Sequence, residues 1–229
     1  MSNPISIMFT DIKGPFKVPV LNGEVYAQSF IEGQTKFLRR YYFQFKSKAL
    51  RILNHLLEVS SLKSEQARLM SYCSDRGPEL ISRGCLALLA DHGCKFLYSL
   101  PYAPKLNAVV ERNHRTTFES AHAMLIHSML PNSLWTYAAE YATHIFNCLT
   151  INTSSGFMSP YQARYGLVPD VSHLHMWGCL CYCHIPAATS SKVFIDKSHK
   201  AYFLGIEMAS QAYIVWIIEK MEVKISSDV

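Results

Sequence analysis

The segment Tyr72–Arg115 constrains the fold more than any other part of the chain. It begins with a short apolar run, typical of a buried strand, that leads to Asp75. It ends in a long amphipathic pattern, typical of a helix, whose first turn carries Glu111. A third acid, Asp11, follows the apolar run Ile5–Phe9, which predicts another buried strand. Three carboxylates are therefore expected on three separate elements.

The residues before this segment predict a hairpin and a third strand. Asn22-Gly23 is a strong hairpin signal between the apolar runs Val18–Leu21 and Val25–Ile31, and the aromatic run Phe37–Phe45 predicts the next strand. Apolar spacing predicts the later elements: helices Lys46–Ser64, Ile81–His92, Asn107–Ser128, a helix from Pro131 and a helical turn Pro160–Tyr165, strands Ala67–Cys73 and Cys94–Tyr98, and a loop Pro101–Leu106. These patterns favour a mixed sheet flanked by helices.

The helix that carries Glu111 is predicted to bury one face. An apolar stripe recurs at spacings of 3 to 4 residues, so the Glu111 carboxylate is expected to point inward at the sheet. Its members are Glu111, His114/Arg115, Phe118, Ala121 and Leu125. An ion pair with Arg115, four residues later, is the competing structural use of the same side chain.

The pattern changes after about Pro169. Short apolar runs separated by polar turns fit a small β-barrel of about 55 residues. The predicted strands are Trp177–Ile185, Ala201–Ile206, Tyr213–Ile218 and Glu222–Ile225. Two domains are therefore expected, residues 1–168 and residues 169–229.

Composition limits the class of protein. The chain has 229 residues, 49% of them hydrophobic and 17% charged, a composition that favours a packed core over global disorder. The net charge of +5 suits a polyanionic partner and equally an ordinary soluble protein. The 7 cysteines, an odd number, and an N-terminus without a signal pattern favour an intracellular protein with reduced thiols. No apolar run reaches the roughly 18 residues of a membrane span, so no membrane partner is expected.

Three alternating cysteines, Cys179, Cys181 and Cys183, together with His184, raise the alternative of a zinc site. Alternation in a strand puts the three thiols on one face, whereas structural zinc sites typically use pairs spaced two to four residues apart. Buried apolar thiols are therefore the favoured interpretation.

The three acids suit a site for hard divalent cations. Mg²⁺ prefers oxygen ligands and keeps several waters, so a few carboxylates and substrate phosphate oxygens complete its coordination. Two such ions about 3.5–4 Å apart activate an attacking oxygen and stabilise a leaving one. Asp11, Asp75 and Glu111 have the residue types for such a site, and the pattern points to an enzyme acting on phosphodiesters.

Several segments resemble copia-type retrotransposon integrases. FTDIKGPF, SDRGPE and PYAPKLNAVVERNHRT are similar to the three acidic motifs of that family, and 35 residues separate Asp75 from Glu111, as in retroviral-type integrase cores. The resemblance continues in order through LPNSLWTYAAEYATHIFNCLT, SPYQARYG, LHMWGCLCYCHIP and KSHKAYFLGI. It therefore covers nearly the whole chain.

This resemblance implies a fold and an activity. The implied fold is α/β, a ribonuclease-H-like mixed five-stranded sheet flanked by helices, followed by a small SH3-like β-barrel. The implied activity is the joining of retrotransposon cDNA 3′ ends to target DNA with two Mg²⁺ or Mn²⁺ ions, held by Asp11, Asp75 and Glu111. The implied partners are both DNAs and further copies of the chain, and the implied location is the nucleus, or the cytoplasm for a chain without that function.

The resemblance also implies a set of DNA contacts. The loop Pro101–Asn107 is expected to border the active site, and cationic and polar side chains around it suit phosphates. The implied DNA-binding residues are Lys105, Asn107, Arg112, His114 and Arg115.

The chain departs from the family pattern at several positions. Leu106 and Ala108 stand where Gln and Gly are usual, and Glu32-Gly33 replaces the usual Asp-Asp pair. Arg39 and Arg40 stand where aromatic or aliphatic residues are usual. Burying either arginine costs several kcal/mol unless it is paired, which predicts a shifted or weakened third strand.

Two alternatives to an active integrase stay open. The His/Cys zinc-binding domain that precedes the core in complete integrases has no counterpart here, which predicts a truncated or decaying copy or a polyprotein fragment. The first alternative is thus a catalytically silent, degenerate or domesticated nucleic-acid-binding protein on the same fold. A ribonuclease H relative is the second, and the C-terminal barrel argues against it.

Overall fold

A computed structural model describes residues 7–18, 20–61, 71–74, 77–98, 104–185, 197–208 and 210–229, with the backbone alone at 59–61, 98 and 104–110. The chain divides into two compact units. The first comprises Met1–Thr117 and Thr143–Asp170, and the second comprises Phe118–Ala142 and Val171–Val229.

A five-stranded mixed sheet forms the centre of the first unit. Its strands are β1 (Ile7–Lys13), β2 (Tyr26–Glu32), β3 (Leu38–Phe43), β4 (Ser71–Ser74) and β5 (Lys95–Tyr98). Their spatial order is β3-β2-β1-β4-β5, in which β1, β2 and β3 are antiparallel while β4 and β5 run parallel to β1. The predicted mixed five-stranded sheet is confirmed, and β1 is its central strand.

The helices lie close to their predicted positions. They are α1 (Ala49–Ser61), α2 (Arg83–Asp91), α3 (Pro104–Ser128), α4 (Trp135–Cys148) and α5 (Pro160–Tyr165), with 3₁₀ turns at Lys46–Lys48 and Asn132–Leu134. Helix α3 starts at Pro104 instead of the predicted Asn107, because proline suits the first position of a helix, where no N–H partner is needed. A short hairpin that apolar spacing did not predict, β6 (Ile151–Thr153) and β7 (Gly156–Met158), follows α4.

Both faces of the five-stranded sheet are buried. Because side chains alternate along a strand, Met8 packs on one face with Phe30 of β2 and with α1 and α2, while Phe9 packs on the other with Ile31 and with Phe146 of α4. Asp11 has the same parity as Phe9. Its side chain therefore belongs to the face that α4 covers.

The second unit contains a separate antiparallel sheet. Its strands are β8 (Leu180–His184), β9 (Ser198–Glu207), β10 (Ala212–Ile217) and β11 (Glu222–Ser226), in the order β11-β10-β9-β8. The expected closed barrel is not formed within the described residues, because β8 pairs only with β9 and β11 only with β10. A backbone hydrogen bond of 3.0 Å from His184 N to Asp228 O links the end of β8 to the residues after β11.

Among the helices that the structure describes, none combines the length and the hydropathy that a membrane crossing requires.

Candidate active site

Asp11 lies on the central strand where its pairing changes. On one side β1 pairs with β2, and Asp11 is opposite Ser29. On the other side the parallel ladder to β4 ends with Thr10 opposite Ser74. The Asp11 carboxylate is 34% exposed, so water and ligands reach it. Asp75 itself lies outside the described residues, directly after Ser74 in the sequence.

Glu111 is exposed, which corrects the prediction that its carboxylate points into the core. Of the predicted stripe, the structure buries His114, Ala121 and Leu125, together with Thr117. Glu111 lies three residues before His114, on the flank of that stripe, because three residues turn a helix by about 300° and not by a full turn. The alternative ion pair between Glu111 and Arg115 is not found among the described side chains.

His114 connects α3 to the candidate acid. Its ring is 2% exposed, and its Nε2 lies 3.4 Å from Oδ2 of Asp11. Burial lowers the pKa of His114 to about 3, with the nearby Arg40 and Lys13 cations adding to the shift. The imidazole is therefore neutral at pH 7, and it faces Asp11 from the interior although the resemblance implied a DNA contact.

The other implied DNA contacts are distributed along the first turns of α3. Arg112 and Arg115 are exposed. Lys105 and Asn107 belong to the first turn of the helix, and their side chains lie outside the described part of the chain. Two guanidinium groups near Glu111 are thus available to solvent.

The described acids fit a hard divalent cation by their donor chemistry. Asp11 and Glu111 offer carboxylate oxygens with access to water, the donors that Mg²⁺ and Mn²⁺ accept while keeping part of their hydration. The neutral His114 adds no positive charge beside Asp11. Within the described residues no three His, Cys, Asp or Glu side chains form a metal-binding group, and the third predicted ligand, Asp75, is outside them.

Arg40 is a buried residue. Its contacts could not be predicted from the pattern of apolar residues in the sequence. It is 6% exposed, and its guanidinium donates to three hydroxyl groups: Ser29 Oγ at 3.1 Å, Thr143 Oγ1 at 3.1 Å and Thr117 Oγ1 at 2.7 Å. These bonds let β3 pair with β2 in register from Tyr26↔Phe43 to Ile31↔Leu38. The predicted shift or weakening of this strand is therefore wrong, because the buried charge is hydrogen-bonded.

The three alternating cysteines lie on and just before β8. Cys183 is buried with Ala201, Val215 and Ile217, and Cys181 packs against that cluster. Burial, with the neighbouring Cys179 and Cys183, raises the pKa of Cys181 to about 11. The favoured interpretation of buried apolar thiols is confirmed for Cys183, whereas Cys179 and Cys181 are half-buried.

We expect the metal-free protein to lose stability in mild acid through His114. Its pKa is about 6.5 in the unfolded chain and about 3 in the folded one, so between these values the unfolded state binds more protons. Stability from this residue is complete above pH 6.5 and falls as the pH drops towards 3, by about 1.4 kcal/mol per pH unit. The loss is measured as the difference in unfolding free energy between pH 7 and pH 5, obtained by urea unfolding in EDTA.

The matched variant for this experiment is His114→Gln, which cannot be protonated. Its loss of unfolding free energy between pH 7 and pH 5 should be smaller than that of the wild type by about 2 kcal/mol. Asp11, Arg40 and Lys13, the charged groups around the ring, are present in both proteins. Equal pH slopes in the two proteins would contradict the prediction.

Comparison with known proteins identifies relatives of the whole chain. It is 28% identical over 229 residues to the retrovirus-related Pol polyprotein from transposon TNT 1-94 of Nicotiana tabacum, covering 99% of this chain and 17% of that protein. It is 27% identical to the corresponding polyprotein from transposon RE1 of Arabidopsis thaliana, covering 100% of this chain and 15% of that protein. The chain thus spans about a sixth of the length of these curated relatives.

Solved structures and a family model agree with this. The catalytic core domain of BIV integrase superposes with a TM-score of 0.51 at 16% identity, covering 70% of this chain and 93% of that one. A chain of the simian T-cell lymphotropic virus intasome in complex with PP2A regulatory subunit B56 gamma superposes with a TM-score of 0.57 at 14% identity. This match covers 99% of this chain and 77% of that one. Residues 179–229 match the retroviral polymerase SH3-like domain. The homologues of this chain are therefore retrovirus-related Pol polyproteins of copia-type transposons, and its fold is that of an integrase catalytic core followed by an SH3-like domain.

Proposed function

We propose that the chain is an integrase-type polynucleotidyl transferase that joins the 3′ ends of retrotransposon cDNA to target DNA. The observation that carries the proposal is the contact between α3 and the central strand, where His114 lies 3.4 Å from Asp11 and Glu111 precedes His114 by three residues. It is supported by the likeness to integrase catalytic cores and by Pol polyprotein relatives along the whole chain.

The register of the central strands supports the choice of acids. Thr10 is opposite Ser74 in a parallel ladder, and Asp11 and Asp75 are the residues that follow these two in the sequence. In open α/β sheets, ligands bind beyond the carboxyl ends of parallel strands, and the β1–β4 ladder ends at this pair. We propose that Asp11, Asp75 and Glu111 hold two Mg²⁺ or Mn²⁺ ions.

Each group has a distinct role in this proposal. The bound ions would supply the charge that activates the attacking 3′ oxygen and stabilises the leaving one. The exposed Arg112 and Arg115 would bind backbone phosphates, and so would Lys105 and Asn107 at the start of α3. His114, neutral and buried, would hold the Asp11 carboxylate in place without competing for the cation.

The assembly follows from the same likeness. We propose that residues 1–168 are the catalytic domain, that residues 169–229 are an SH3-like domain, and that copies of the chain act together on DNA. The intasome among the similar structures supports a multimer. This activity would place the protein in the nucleus.

A strand-transfer assay tests the proposal. Purified protein is incubated with an oligonucleotide matching the element's end and a target plasmid, with Mn²⁺ or with EDTA, alongside Asp75→Asn and Glu111→Gln variants. Product that requires Mn²⁺ and both acids supports the proposal, whereas equal product from wild type and both variants overturns the metal site. No product from a wild type that still binds DNA would favour the silent nucleic-acid-binding protein.

A further inference from the structure

A buried arginine lies in the same row of the sheet as the candidate catalytic acid. Asp11 is the register partner of Ser29, and Ser29 is the register partner of Arg40. Residues opposite one another across a sheet point to the same face. Asp11, Ser29 and Arg40 therefore form one row across β1, β2 and β3, on the face towards α3 and α4.

The Arg40 guanidinium joins three elements through hydroxyl groups. Its Nε donates to Ser29 Oγ on β2 at 3.1 Å, its Nη1 to Thr143 Oγ1 on α4 at 3.1 Å, and its Nη2 to Thr117 Oγ1 on α3 at 2.7 Å. A planar guanidinium donates along fixed directions, which a lysine ammonium does not reproduce. The three acceptors therefore fix where both helices lie on this part of the sheet.

Thr117 links the Arg40 guanidinium to the backbone of α3. Its hydroxyl accepts from Arg40 and donates to the backbone carbonyl of Asn113 at 2.7 Å. His114 is the next residue after Asn113, and its Nε2 is 3.4 Å from the Asp11 carboxylate. A displacement of Thr117 would thus move the helical turn that faces Asp11.

We infer that Arg40 is a positioning residue of the proposed active site, setting the rotation and depth of α3 so that Glu111 is held at a defined place relative to Asp11. The inference rests on the proposed function for its catalytic meaning. Arg40 acts through Thr117 and α3 and touches neither substrate nor metal in this scheme. Its effect comes from the geometry of its three donors.

The test compares Arg40→Lys and Arg40→Met with the control Arg39→Met. Arg39 is the adjacent arginine on the opposite face of β3, where its guanidinium lies over the Phe37 ring. Removing the support of a metal ligand typically lowers metal affinity or activity 10–100-fold. Both Arg40 variants should weaken Mn²⁺ binding, measured by calorimetry on folded protein, and strand transfer by about that factor, while Arg39→Met matches the wild type.

The lysine variant separates geometry from charge. It keeps the positive charge and loses the three-way contact, so wild-type Mn²⁺ affinity and strand transfer in Arg40→Lys would overturn the inference. The inference would also fail if Arg40→Met lowered only the melting temperature, with Mn²⁺ affinity unchanged. Loss in both Arg40 variants and not in Arg39→Met supports it.

Amide hydrogen exchange keeps this inference separate from the proposed function. If the wild type neither binds Mn²⁺ nor transfers strands, the proposed function fails, and exchange along Asn113–Phe118 still reports the position of α3. Faster exchange there in both Arg40 variants, with none in Arg39→Met, supports positioning by Arg40. Unchanged exchange in either Arg40 variant overturns it.

Discussion

Replacing Asp11 with Asn should lower Mn²⁺-dependent strand transfer by about 10²–10⁴-fold, because charge stabilisation by a bound metal is worth several kcal/mol and each 1.4 kcal/mol is a factor of ten. The side chain lies on the central strand, is 34% exposed and contacts His114. Asn keeps its size and loses the anionic oxygen. Single-turnover strand transfer and Mn²⁺ titration measure the loss.

The variant should fold as the wild type does, since it keeps the shape of the side chain and its place in the β1–β2 ladder. Asp91→Asn is the matched control, because Asp91 is an exposed acid at the end of α2. Full activity in Asp11→Asn, or an equal loss in Asp91→Asn, would remove Asp11 from the proposed site.

Replacing Arg164 with Met should lower the unfolding free energy by about 3–5 kcal/mol, the usual loss when one partner of a buried ion pair is removed. Arg164 forms an ion pair with Glu32, and their side chains are 9% and 2% exposed. The substitution leaves the Glu32 carboxylate buried, with Thr35 Oγ1 as a donor at 2.7 Å. It also removes the guanidinium from the Phe37 and Tyr165 rings. Urea unfolding at pH 7 measures the change.

A second substitution tests the cause of that loss. Adding Glu32→Gln to Arg164→Met removes the buried carboxylate charge that has lost its Arg164 partner. The double variant should therefore be more stable than Arg164→Met alone. A double variant that is less stable than Arg164→Met would show that the loss comes from packing.

Local patterns predicted most of the secondary structure. The strands around Phe9, Phe30 and Tyr72 and the helices α1, α2 and α4 follow from apolar periodicity, which is a property of neighbouring residues. The hairpin β6–β7 was not predicted, because strands of three residues are too short to show an alternating pattern. The predicted barrel became an open four-stranded sheet, since strand order depends on contacts between distant segments.

The residue types of the candidate site were also readable from the sequence. Asp11, Asp75 and Glu111 stand in short motifs that can be read directly from the sequence. The burial and contacts of these side chains could not be predicted in this way. Periodicity predicted an inward Glu111, and the structure exposes it because the buried stripe of α3 passes through His114 and Thr117.

Arg40 shows most clearly where sequence reasoning ends. By itself the sequence determined that a charged residue interrupts an apolar strand, which predicted a cost and a weakened strand. Only the tertiary structure decided the outcome, because the hydroxyl groups that accept its hydrogen bonds lie 11, 77 and 103 residues away along the chain. These hydroxyl groups reach Arg40 only when β2, α3 and α4 have packed against β3. Patterns of neighbouring residues therefore cannot predict these contacts.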